Sequence, residues 1–502
     1  MTSASVAVER SSDDVGATVV ARFLSFGAAL GALLVTLAVL TVRGRFADPD
    51  MWWHLKNGQV MATSHHIPTT DLFSYTTNHH SLVPHEWLSE LLIYAAYAAH
   101  GYSGLMLWEC AFTAAILLAG FYLCTLYSGN PRLGFLGAMV IWFFGTTGFS
   151  VRPQMIGYLL LIAELVILHL GRTRQRRWFC LLPPLFAIWV NCHGSFLLGF
   201  VILSASALTE VARCILHGTG RNPRNGRGVL LISATALSTP ALLINPIGIQ
   251  QAVYPLQIML HSPVNLGEVQ EWHRIQFDDL RAYVFVGMIA FICVCAFLRK
   301  VWVPAEQMFI VAAVSIEAAR HQRLLFVFGI VAAPVVSRAL ATISTPAKKD
   351  EEHAAANAVL VATALLVCVV AFPSEANLNR QVETSSPVKA VNFIRQHHLP
   401  GPLINEYGFG GYVIWAAPEI PVFVDGRTDI FEWTGVLRNF GDWATLKAPT
   451  AALLDRYSVD LCLVSRSSPT VQNLRRLPGW KQLYIDDNAV VFQRQRAVPE
   501  QK

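Results

Sequence analysis

Eleven apolar segments, at 20–42, 104–126, 133–149, 155–170, 178–192, 195–213, 228–245, 281–298, 302–319, 323–342 and 355–373, constrain this chain more than any other feature. A bilayer core about 30 Å thick is crossed by roughly 20 apolar residues in a helix, with about 17 as the practical lower end. The pattern predicts a polytopic α-helical membrane protein of about eleven spans. Composition agrees, because only 14% of the 502 residues are charged against roughly 25% in soluble domains. A mean hydropathy of +0.43 excludes a freely soluble enzyme. The net charge of +5 is small for this length and its basic residues fall in short clusters between apolar runs, which excludes nucleic acid as a partner.

Those clusters orient the chain. Arg172/Arg174/Arg176/Arg177, Arg213/Arg221/Arg224/Arg227, Arg299/Lys300 and Arg338/Lys348/Lys349 all fall inside under the positive-inside rule. They do so together only if Glu86–His100, short and carrying Glu86 and Glu90, lies along the interface without crossing. The N-terminus is then cytoplasmic, the C-terminus extracytoplasmic, and the host membrane the cytoplasmic one. The same parity gathers the unusual polar residues outside: the loop 43–103, the turns at Arg152, Asn191/His193 and Arg320/His321/Arg323, the loop 246–280 and the tail.

The first apolar run is too long for a signal-peptide core and is read as the first span. The cysteines lie mostly in apolar runs with no CxxC spacing, so neither disulfides nor thiolate metal sites are expected. Three units follow: a disordered cytoplasmic segment 1–19, a transmembrane domain 20–374 and a small extracytoplasmic α/β domain over 385–497. Within the last, strand-like Pro402–Ile404, Val422–Asp425, Leu461–Val464 and Ala489–Phe492 alternate with helix-like Val388–His397 and Thr450–Tyr457.

The chemistry-bearing residues begin directly after the first span, with Asp48-Pro49-Asp50-Met51-Trp52-Trp53-His54. Two carboxylates two residues apart can share a divalent cation, or one can act as general base while the other orients it. Either can instead cap the helix that starts near Met51, with the tryptophans anchored at the interface. The loop continues through Ile67-Pro68-Thr69-Thr70-Asp71-Leu72-Phe73-Ser74-Tyr75 to His85-Glu86-Trp87-Leu88. Up to Leu88 it also holds six histidines, at 54, 65, 66, 79, 80 and 85. No HxxxH or HExxH pair accompanies them, which disfavours zinc. His54, His85 and Glu86 are better read as substrate-binding or acid-orienting groups.

In these motifs the chain resembles the GT-C superfamily of membrane glycosyltransferases. Its bacterial members have a first loop reading like DPDxWWH, IPxxDxFSYT and HEWL. The architectural resemblance covers roughly the first 340 residues, with a weaker echo at Trp189–Gly194. It implies sugar transfer from a polyprenyl-phosphate donor with inversion at the anomeric carbon. It also implies catalytic or metal-binding roles for Asp50 and Asp48, with Mg or Mn as the ion. The chain departs from the superfamily in two places. A proline separates its two aspartates, where the superfamily's mannosyltransferases carry adjacent Asp-Glu. The turn Ser150–Gln154 lacks the acid, and the tail the WWDYG motif, of oligosaccharyltransferases, so protein N-glycosylation is disfavoured.

Around this pair the sequence offers further candidates. Arg320, His321 and Arg323 stand outside against the charge rule, and a guanidinium fork on a lipid phosphate gives them a reason to be there, with Arg152 as a second contributor. Plain headgroup contact is the alternative. Asn191 and His193 either line a pocket or satisfy a helix end. In the tail, Asn405, Glu406, Tyr407, Asp425 and Arg427 follow strand-like runs, the usual ligand position in α/β sheets. They are candidates for binding the acceptor, and structural turns are an equal alternative. The expectation is a hexosyl or pentosyl transferase acting on an envelope glycan, lipid or protein. Its rival is a non-catalytic transporter or assembly scaffold for envelope polysaccharide.

Overall fold

The computed structural model describes residues 25–77, 79–217, 225–261, 273–298, 304–344 and 353–495. The segment 1–19 and the basic residues Arg221, Arg224, Arg299, Lys300, Lys348 and Lys349 lie outside that range. The protein is mostly helical, and each of the eleven apolar segments contains a helix: α1 (Phe26–Val42), the second half of α3 (Trp87–Ser128), α4 (Pro131–Gly145), α5 (Gln154–Thr173), α6 (Leu182–Cys192), α7 (Phe196–His217), α8 (Asn225–Ala241), α10 (Leu280–Phe297), α11 (Ala305–Arg320), α12 (Leu325–Ile343) and α13 (Ala354–Ala371). Outside these segments, α2 (Met51–Ser64) lies in the first loop and α9 (Ile249–His261) in the loop after α8. By length and composition, six helices among the described residues can cross a membrane, while α1 and α4 are apolar but shorter.

Burial ranks these helices. The most apolar window of Gln322–Ile343 is 72% buried and that of α13 only 11%, so α12 is central and α13 peripheral. Large apolar side chains turned outward, such as Phe297, Val369 and Val370, suit contact with lipid and not water. At one end of α5, Arg172 lies 3.5 Å from the buried Glu306, which Arg213 also meets at 3.2 Å. Arg227 donates to the carbonyls of Arg172 and Arg174. The other end of α5 begins at Gln154, about 30 Å away at 1.5 Å per residue.

Glu86–His100 becomes the first part of α3, which breaks at His100 and Gly101. Gly101 has φ +57° and ψ −138°, a conformation open essentially to glycine alone. The chain folds back sharply there, since a Cβ on Gly104 would lie 2.0 Å from the Ala96 carbonyl oxygen. The fourteen residues before the break reach about 21 Å, short of the bilayer core. They pack on α2, whose Gly58 runs against the Glu90 carbonyl with room for no side chain.

The tail opens with α14 (Glu375–Ser385) and α15 (Val388–Gln396) and then forms a four-stranded sheet of order β1-β2-β4-β3. The strands are β1 (Leu403–Asn405), β2 (Leu461–Ser465), β3 (Trp480–Ile485) and β4 (Ala489–Arg494), with β1 and β2 parallel and the other pairs antiparallel. Strand β3 departs from the sequence expectation, and Val422–Asp425 does not join the sheet. It runs extended between the tail and the first loop. Val422 pairs with Ser74, and Asn405 bonds the Phe423 N–H and the Val424 carbonyl through its side-chain amide. That amide replaces the strand neighbour the segment lacks.

Candidate functional site

Asp50 occupies the cap position of α2, yet its side chain makes no cap bond. The backbone there is helical, which turns the carboxylate away from the first-turn amides. Arg152, in the turn before α5, engages both acids. Its Nε and Nη2 donate to the two oxygens of Asp48 at 2.8 Å each, and its Nη1 lies 3.0 Å from Asp50 Oδ2. The Asp50 amide also donates to Asp48 Oδ1 at 2.9 Å. From the tail, Gly426 closes over the pair so tightly that a Cβ would sit 1.9 Å from Asp50 Oδ1. The guanidinium of Arg152 thus faces both carboxylates, where a divalent cation shared by Asp48 and Asp50 would also have to sit.

A second polar group lies one helical turn further along α2. His54 Nδ1 is 3.1 Å from Glu90 Oε1 and 3.8 Å from Glu86 Oε2. Asn57 donates to Glu90 Oε1 at 2.9 Å, and Glu86 Oε1 faces His193 Nε2 at 3.5 Å and His85 Nε2 at 3.8 Å. Burial, then the charges of Arg323 and His85, holds the His193 imidazole down at about 3. Burial, with Arg152 next, also pushes His54 well below its ordinary value, and burial raises Glu86. His54 and His193 therefore favour the neutral form. A cavity of about 40 Å³ lined by Trp53, Asn57, Glu86, Glu90, Arg427 and Asp429 opens beside it.

The remaining candidates separate. Arg323 donates to Gln154 Oε1 at 2.7 Å, and its charge reaches His193, Glu86 and His54. Arg320 is 66% exposed beside Glu317, at the last turn of α11, and His321 ends that helix by donating its amide to the Glu317 carbonyl. Asn191 is buried and accepts from Trp87 Nε1 while donating to the Ala187 and Ile244 carbonyls, which matches the helix-end alternative.

In the tail, Arg427 is buried between Asp425 and Asp71 of the first loop, at 2.6 and 2.5 Å. Glu406 accepts from the Ser465 amide and Tyr407 starts a short turn at the sheet edge. Arg427 thus ties the tail to the loop, Asp425 fixes its guanidinium and Asn405 bonds within the tail, and none of the three is exposed for a ligand.

The sequence reading missed Glu90 and Tyr254 as parts of this region; Asp71 stood in the first-loop motif and Asp429 among the tail residues offering hydrogen bonds to the acceptor, without a sign that they meet here. Tyr254 of α9 donates its hydroxyl to Asp429 and packs 4.9 Å from the His85 ring. For Glu90 a signal existed: Glu86 and Glu90 are four apart, which places both on one helix face. Nothing local marks Tyr254.

No known protein family's sequence pattern matches the chain, and no curated protein sequence does. Solved structures do. ArnT from Cupriavidus metallidurans bound to undecaprenyl phosphate is 11% identical over 95% of this chain and 98% of that one, with a TM-score of 0.51. Its apo state gives 14%, 96%, 98% and 0.50. The archaeal oligosaccharyltransferase AglB from Archaeoglobus fulgidus, in complex with an inhibitory peptide and a dolichol-phosphate, is 12% identical over 86% of this chain and 69% of that one, with a TM-score of 0.50. Identities this low establish fold alone. The fold is the one these membrane proteins share, in keeping with the resemblance of the first-loop motifs.

Proposed function

We propose that this protein is an inverting membrane glycosyltransferase that moves a sugar from a polyprenyl-phosphate donor to a hydroxyl of an envelope glycan, lipid or protein on the outer face of the cytoplasmic membrane. The observation that carries the reading is the acid pair Asp48/Asp50, held by Arg152 at the outer end of the first helix and closed over by the tail. The lipid phosphates bound in structures of the same fold support the donor class.

In this mechanism Asp48, gripped through both oxygens, orients Arg152, and Asp50 takes the acceptor's proton. The acceptor oxygen bonds to the anomeric carbon as that carbon's bond to the phosphate oxygen breaks. The departing lipid phosphate carries the negative charge, which Arg323 stabilises. Arg152 serves the acids and not the phosphate. Eleven crossings, N-terminus inside, put this chemistry outside, a sidedness supported by the roughly 30 Å of α5 that separates Gln154 from the basic Arg172 end.

Asp50→Asn keeps the shape and removes the base. Transfer from a polyprenyl-phosphate sugar to its acceptor should fall about 10²–10⁴-fold in protein that still inserts and folds. Retention of more than about a tenth of the rate would remove Asp50 from the base role. A scaffold without chemistry would show no turnover in the unsubstituted protein either.

A further inference from the structure

We propose that His54, Glu86 and Glu90 bind a divalent transition-metal ion, zinc or one of similar ligand preference, at a site separate from the Asp48/Asp50 pair. Nδ1 of His54 and one oxygen from each glutamate all lie within 4.8 Å of one another. A tetrahedral ion with bonds of about 2.0–2.1 Å spaces its donors roughly 3.4 Å apart. The observed separations of 3.1 and 3.8 Å from His54 bracket that value.

Charge gives the second argument. Glu90 is buried and Glu86 nearly so, and their contacts among the described residues are imidazoles and an amide, with no guanidinium or ammonium. Two neighbouring buried carboxylates need a counter-charge. At Asp48/Asp50 Arg152 supplies it. Here Arg323 acts on Glu86 and Arg427 on Glu90 only from beyond ion-pair distance, and the donors converge on a point where a cation would supply the charge directly.

The surrounding bonds have the polarity such a site requires. His85 Nδ1 lies 3.1 Å from the Val83 carbonyl, which only an N–H can satisfy, and its Nε2 faces Glu86. A histidine that donates one ring N–H to a carbonyl and aims the other nitrogen inward has the usual arrangement of a metal ligand. His85 stands beside the three donors, facing the other oxygen of Glu86. His193 is of the opposite tautomer: its Nδ1 accepts from the Ser195 amide at 3.0 Å, so its Nε2 carries the proton and orients Glu86 Oε1. Asn57 orients Glu90 in the same manner. An imidazole set with carboxylates favours zinc, manganese, iron or cobalt over magnesium, whose sites are built from oxygen. The ion would join α2 to the first half of α3 and so fix the loop that carries Asp50.

The full chain, purified in detergent and loaded with zinc, should hold about one ion per chain by elemental analysis, and cobalt in its place should give the absorption of a tetrahedral site. Zinc should raise the thermal midpoint of the stripped protein. Glu90→Gln, which preserves shape, and His54→Ala should each lose the ion and that rise, whereas Asp48→Asn should keep both. Should His54→Ala fail to fold, Glu90→Gln decides alone. Full occupancy in Glu90→Gln, loss in Asp48→Asn, or neither binding nor a midpoint shift in the unsubstituted chain would each overturn the proposal. None of these readouts depends on transfer, so the assignment stands or falls apart from that of Asp50.

Discussion

Arg427 joins two parts of the chain that no local signal connects, with Asp425 beside it in the tail and Asp71 across the interface in the first loop. Burial pushes the Asp71 carboxyl up, but the Arg427 charge and bonds from Ser74 and Thr77 outweigh it and hold the group at about 2, below its ordinary 3.8. A depressed carboxyl stabilises the folded state above its unfolded pKa and loses that contribution as pH falls through the folded one. The contribution is about 2 kcal/mol, present above about pH 4 and lost between about pH 4 and 2. Acid unfolding in detergent should show that window, and Asp71→Asn should remove it. Arg427→Ala strands two buried carboxylates and should cost about 3–5 kcal/mol, measurable as a lower thermal midpoint with early proteolysis of the tail. Arg323 and Arg320 make a second residue-scale contrast. Arg323→Ala should weaken donor use roughly 10- to 150-fold, with lysine a partial rescue. The exposed Arg320→Ala should leave donor use within about twofold. Equal effects in donor-concentration curves would show that position relative to His193 and Glu86 is irrelevant to the phosphate.

At the scale of the element, α3 shows how one glycine converts a 42-residue helix into two parts. Its first part lies against α2 and delivers Glu86 and Glu90, while its second belongs to the apolar bundle. A side chain at Gly101 meets no atom within 4 Å, so any penalty there is backbone strain and not a clash. Gly101→Ala should therefore destabilise by about 1–3 kcal/mol, read from thermal unfolding, and displace the His54–Glu86–Glu90 group. A midpoint unchanged from the parent would mean that the break tolerates a Cβ. The same helix pair explains why Gly58 must be small: α2 crosses the first part of α3 at backbone distance, with the Glu90 carbonyl directly beneath it.

For the whole molecule, sidedness is the consequence most open to test. Reporter fusions after Tyr127 and Arg174 should both report cytoplasm, since only then do Arg172 and Glu306 face the compartment opposite to Asp48 and Asp50. An external signal at Arg174 would invert the map and place the acids inside. The tail is part of this arrangement and not an appendage: Gly426 and Gly411 abut Asp50 and Pro49, and Tyr412 meets Trp52 edge-on at 5.1 Å. Its contribution to acceptor recognition would therefore come through the wall it forms over Asp50, because Arg427 and Asp425 are committed to the contact with Asp71 and Asn405 to bonds within the tail.

The helices and the separation of basic ends from acidic ones follow from the sequence alone, because hydropathy and charge act over a single turn or span and need no partner to be read. Charge parity also asks that Glu86–His100 lie along the interface, and the structure adds that this segment is a helix of its own, broken off at Gly101. The site was legible only as a roll of polar residues. Which of them meet was decided by tertiary structure: Arg152 reaches Asp48 across 104 positions and Arg427 reaches Asp71 across 356. Arg323 faces the histidines while Arg320, three residues earlier, faces out, since consecutive turns at a helix end point to different sides. Ion pairs of this kind form where packing brings buried charges together, and burial on that scale is a property of the assembled bundle and tail, which no local pattern encodes.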